Sequence, residues 1–107
     1  MSDDVLGRLA VTIKARRTAA SDTSYTRQLL DAGVERCAKK FGEEAIETVI
    51  AATHQGNDEL KAEAADLLYH LLVLLECRQV ALADVLGVLD KRTGTSGLTE
   101  KAQRAAS

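Results

Sequence analysis

Apolar residues recur along most of this chain at spacings of three and four, which puts them on one side of a helix. Val5, Leu6, Leu9 and Ile13 form the first such strip and predict a helix from about Asp4 to Arg16, with Ser2 or Asp3 as its N-cap. The stretch from Arg17 to Ser24 is small and polar and reads as a loop. A short helix from about Tyr25 to Ala32 should stop at Gly33, and a third should run from about Val34 to Gln55 and end at Gly56. Gly42 lies inside that third helix at a cost of roughly 1 kcal/mol relative to Ala, so a close backbone approach or a local bend is expected there. Asn57 is expected to cap a fourth helix reaching about Arg78, with Asp58 and Glu59 in its first turn. A fifth spans about Leu82 to Arg92 and ends near Gly94. The pattern predicts an all-α domain of about five helices over residues 1–94, followed by a small polar tail over 95–107.

The segment from Leu67 to Leu75 is apolar on almost every side. Such a helix must be covered all round, which one small domain can hardly do. The expected solution is a helical bundle completed by homo-oligomerisation.

Composition supports the helical reading: proline is absent, and Ala, Leu, Glu and Lys are abundant. The net charge is −2 and no basic arm or run is present, so a general nucleic-acid binder is disfavoured while nucleotide binding stays open. No signal region and no membrane-spanning apolar run is evident, and the cytoplasm is the expected compartment. Cys37 and Cys77 form no C-x-x-C pair and are expected as reduced, partly buried thiols. His54 and His70 are too far apart for an H-x-x-x-H metal pair.

The acidic residues are more informative. Glu43, Glu44 and Glu47 fall on the third helix, and Glu63 and Asp66 on the fourth, all at spacings that make them neighbours on a helix surface. The Gly56-Asn57 turn lets the two helices fold back antiparallel, so the groups can meet. Taken singly, each carboxylate is explained by a solvated helix face. However, Glu63 projects onto the strip of Leu60, Leu67, Leu71 and Leu74, while Glu43 and Glu47 border Ile46 and Ile50. A carboxylate among apolar groups must be protonated, paired or bound to a cation. Two carboxylates about 6 Å apart repel by roughly 3 kcal/mol at an effective dielectric near 20. A hard divalent cation such as Mg²⁺ removes that penalty and also prefers phosphate oxygens, so a Mg²⁺ site facing a phosphorylated ligand is expected.

Glu44-x-x-Glu47 followed by Glu63-x-x-Asp66 resembles the E-x-x-E…E-x-x-D signature of the all-α MazG-like nucleotide pyrophosphohydrolases. Ser24-Tyr25-Thr26, the block from Lys40 to Glu47, the block from Glu63 to His70 and the run from Arg92 to Lys101 are similar to one family among them, the phosphoribosyl-ATP pyrophosphatases of histidine biosynthesis. The similarity extends from about Leu6 to Arg104. It implies a helical homodimer or larger assembly that binds Mg²⁺ through Glu44, Glu47, Glu63 and Asp66 and hydrolyses phosphoribosyl-ATP to phosphoribosyl-AMP and pyrophosphate. The loop before Ser24 often carries a proline in that family and here does not, which bears only on its rigidity. No Cys/His cluster for a fused cyclohydrolase is present.

Breaking a phosphoanhydride asks mainly for positioning and charge neutralisation. Glu43 or Glu47 is the candidate for orienting the attacking water, and Lys40, Tyr25 and Arg92 are candidates for binding substrate, with Lys39 a weaker one. His70 reads first as a core histidine. Two other readings remain at this stage: a house-cleaning pyrophosphohydrolase of free nucleoside triphosphates, and a non-catalytic helical dimerisation module.

Overall fold

The structure, a computed structural model, describes residues 4–20 and 24–94. Its elements are α1 (Val5–Ala15), a single 3-10 turn (Arg16–Thr18), α2 (Tyr25–Ala32), α3 (Val34–His54), α4 (Asn57–Cys77) and α5 (Leu82–Thr93). No strand occurs among the described residues, so the fold is all-α as expected. Residues 95–107 and the expected caps Ser2 and Asp3 lie outside the described residues.

Local chemistry corrects several details. Asp4 is the N-cap of α1, its carboxylate accepting the Gly7 N–H at 2.6 Å. The polar stretch after α1 is not wholly loop, because α1 tightens into the 3-10 turn before the chain extends at Ala19. At α4 the N-cap is Gly56, and Asn57 is already helical with no capping hydrogen bond from its side chain. Gly42 has open space where a Cβ would stand, which removes the expected close approach. Gly33 does need to be glycine: it joins α2 to α3 at φ 99° and ψ 177°, a region open essentially to Gly alone.

α3 and α4 form an antiparallel hairpin and the most extensive helix pair in the protein, with α1 and α2 packed against it. The fully buried centre is small: Ile13 from α1, Leu29 from α2, Cys37 from α3, and Leu72 and Val73 from α4. Leu6, Leu9, Leu30, Tyr69, Leu75 and Leu82 pack around it. Burial, with Cys77 beside it, pushes the Cys37 thiol up to about 11, so it is an inert core group whose S–H points at the Leu29 carbonyl.

Three polar ties hold the smaller elements on the hairpin. Arg17 clamps both the side chain and the main-chain carbonyl of Glu76 in α4. Ser24 caps α2, its hydroxyl oxygen accepting the Arg27 N–H at 3.1 Å. Thr26 and Tyr69 share a hydrogen bond that joins α2 to α4.

Much apolar surface is left uncovered. α5 buries none of its residues, and Leu86, Val88 and Leu89 are exposed. On α3, Ile46, Val49 and Ile50 are 63%, 61% and 44% exposed, and Leu68 on α4 is exposed as well.

Candidate active site

The hairpin turn at Gln55 and Gly56 is short, so α3 and α4 run back along each other with their acidic residues at matching levels. Glu44, Glu63 and Asp66 each bring a carboxylate oxygen within 4.8 Å of the other two. Glu47 stands beside this trio, hydrogen-bonded to Glu44. The carboxyl of Glu44 is pushed up to about 7, first by that hydrogen bond, then by burial and by the charges of Glu47, Asp66 and Glu63. Glu63 is also raised, by desolvation and then by Glu47 and Asp66. These shifts express crowding of like charge in a partly shielded place.

All the donors in the trio are carboxylate oxygens, the set a hard divalent cation selects. Oxygens bound to one octahedral Mg²⁺ at about 2.1 Å lie about 3.0 Å apart when adjacent and about 4.2 Å when opposite, a gap that rotation of these partly exposed side chains can close from within 4.8 Å. The residues present therefore fit such an ion.

Glu43 faces another way. Its carboxylate pairs with Lys40 at 3.3 Å, one turn earlier on α3. Lys40 is held charged by this contact and by the nearby Tyr25. Tyr25, half exposed, stands edge-on to His70, with ring centroids 6.3 Å apart. Tyr69 packs on the same imidazole at 5.0 Å. His70 is 6% exposed, and burial, reinforced by Lys40, holds it below its usual range. It is a neutral packed ring between the tyrosines, consistent with the core reading. Lys39 is exposed. Arg92 lies in the last turn of α5, a helix that buries nothing.

A groove of about 690 Å³ lies elsewhere, between α1, the end of α4 and the start of α5. Its walls include Val11, Leu72, Leu75, Val80 and Leu86, and of its charged members Asp4, Lys14, Arg17 and Glu76 the last two neutralise each other. It lacks the crowded carboxylates found on the hairpin.

Two polar features of the site escape the sequence pattern. Thr26 reaching Tyr69 carries no periodic signal. Thr48, which follows Glu44 by one turn, hydrogen-bonds the Glu44 carbonyl at 2.8 Å and the Glu63 carbonyl at 3.2 Å. Only its place on the acidic face of α3 could have pointed to it.

Residues 6–93 match the family model described as phosphoribosyl-ATP pyrophosphohydrolase. A phosphoribosyl-ATP pyrophosphatase of Cereibacter sphaeroides is 54% identical over 94% of this chain and 97% of its own length. Phosphoribosyl-ATP pyrophosphatase 1 of Bradyrhizobium diazoefficiens is 60% identical over 90% of this chain and 91% of its own. A relative of the same name from Dinoroseobacter shibae is 55% identical over 94% and 98%. With identity at this level across nearly every helix, the chain belongs to the phosphoribosyl-ATP pyrophosphohydrolase family.

Proposed function

We propose that this enzyme hydrolyses phosphoribosyl-ATP to phosphoribosyl-AMP and pyrophosphate, the second step of L-histidine biosynthesis, with Mg²⁺ as cofactor. The convergence of Glu44, Glu63 and Asp66 from two helices is the observation that carries the metal assignment. Glu47 completes the ligand set. When bound, Mg²⁺ neutralises these carboxylates and the polyphosphate of the substrate together.

The chain's own residues do the rest. Glu44 and Glu47 hold a hydrogen bond between them and, with Glu63 and Asp66, would hold the ion. Glu47, on the edge of the trio, then accepts a proton from the attacking water. Glu43 is the weaker candidate for that role because Lys40 already occupies its carboxylate. Lys40, anchored by Glu43, presents a fixed positive charge to a phosphate. Tyr25, with an exposed ring supported edge-on by His70, contacts the nucleoside or its ribose. Arg92 would reach the substrate only from the loosely packed α5.

The enzyme works as a homodimer or larger assembly, which covers the exposed apolar residues of α3 and α5. Among the described residues no helix is long and apolar enough to cross a membrane. With no basic run in the sequence, neither nucleic acid nor membrane is a partner in this reading, and its compartment is the cytoplasm.

Pyrophosphate release from phosphoribosyl-ATP with and without Mg²⁺, against ATP, dUTP and dCTP as competing substrates, tests the proposal. Metal-dependent turnover that strongly favours phosphoribosyl-ATP is expected. Equal turnover of the free triphosphates would replace it with a house-cleaning role.

A further inference from the structure

Beside the acidic trio, Thr48 carries a hydrogen bond that crosses from α3 to α4; the Cys37–Cys77 pair joins the two helices farther from the turn. Its hydroxyl has one proton to give and lies near two acceptors, the carbonyl oxygens of Glu44 at 2.8 Å and Glu63 at 3.2 Å. The proton is shared in a three-centre arrangement. The bond to Glu44 is the ordinary back-bond of a threonine to the previous turn of its own helix. The bond to Glu63 is not local: it spans the hairpin, and both acceptors belong to residues of the carboxylate trio. Thr48 and Glu63 stand equally far along the chain from the Gln55–Gly56 turn, so the contact joins the helices at one level.

The remaining contact between α3 and α4 near the trio is side-chain packing, which tolerates small slides and rotations of one helix on the other. A hydrogen bond of defined length tolerates far less. The trio's oxygens lie within 4.8 Å of one another, and an octahedral ion brings adjacent ligands to about 3.0 Å. The level and rotation of the two helices set how far the side chains must move to close that gap.

We propose that Thr48 is a positioning residue for the metal centre: its hydroxyl sets the level and rotation of Glu63 against Glu44 and so tunes affinity for the divalent cation. The inference rests on the metal reading above.

The test is Mn²⁺ binding followed by electron paramagnetic resonance on the full chain without nucleotide, for the wild type, Thr48→Val, Thr48→Ala and Thr48→Ser. Valine keeps the β-branched shape and removes only the hydroxyl, alanine guards against a crowding artefact, and serine keeps the hydroxyl. Valine and alanine should weaken Mn²⁺ binding by about three- to ten-fold, the range that loss of one hydrogen bond supports. Serine should stay within about two-fold of wild type on the same ground. With phosphoribosyl-ATP, kcat of the valine variant should recover at saturating Mn²⁺. Helix content and Tm are recorded alongside. A valine variant that melts lower yet binds Mn²⁺ as the wild type does would make Thr48 merely structural and overturn the proposal. So would a serine variant as weak as valine. Wild-type protein that binds no Mn²⁺ would overturn the metal reading itself, and the proposal with it.

Discussion

Close to neutral pH the Glu44 carboxyl is about half protonated, because Glu47 shares its proton and two further acidic side chains crowd it. In the unfolded chain it would ionise near its ordinary value of 4.5. At Glu44 the folded protein without metal therefore binds more protons than the unfolded chain between about pH 4.5 and 7, and this group's contribution to stability falls as pH rises through that window, against the smaller opposite contribution of buried His70. Thermal melts in chelator at pH 5, 6 and 8 should show a declining Tm. Excess Mg²⁺ should flatten the trend, since an ion held by the carboxylates replaces the lost proton. A Tm that rises over the same range would remove Glu44 from the crowded site. Glu47→Gln should cost about 100-fold or more in kcat, the scale of a lost general base. Turnover near that of the wild type at saturating Mg²⁺ would exclude it.

The helices themselves were readable from apolar spacing, because Leu, Val and Ile recur along them at a helical period, whether they end buried, as Ile13 and Val73 do, or exposed, as Val88 and Leu89 do on α5. What escaped was decided by geometry at the ends. Asp58 and Glu59 made Asn57 look like a cap, yet the chain turns one residue earlier, at Gly56. Gly42 looked like a site of close approach, and no neighbouring atom requires it. The acidic residues were legible because their helical spacing aligns them on facing turns of the hairpin, and Glu44, Glu63 and Asp66 do come together there. The pairing of Glu43 with Lys40 was not legible, since a helix surface offers each of them several partners at similar spacing. Gly33 is the junction where backbone geometry constrains the element most. Gly33→Ala should destabilise the protein by about 1–3 kcal/mol, because its φ of 99° with an extended ψ is strained for any residue with a Cβ. Urea unfolding would measure this. A loss under a few tenths of a kcal/mol would mean that α2 and α3 can meet at another angle.

On the scale of the whole molecule, the buried centre is too small for the apolar surface the helices carry. Ile46 and Ile50 stand exposed on α3, next to Glu43 and Glu47, so any subunit that covers them borders the active site. The double substitution Ile46→Lys with Ile50→Lys should shift the sedimentation coefficient toward that of a monomer and lower activity with it. An unchanged assembly would move the interface to α5 or α1.

All the acidic groups of the active site come from one uninterrupted stretch, α3, a tight turn and α4. Joining them requires closing only a short loop, which costs little chain entropy and occurs early in folding. The hairpin that carries the proposed metal site thus closes at lower entropic cost than the docking of α1 and α2. A divalent ion present during refolding would meet its ligands in the nascent hairpin and speed the process rather than arrive after it.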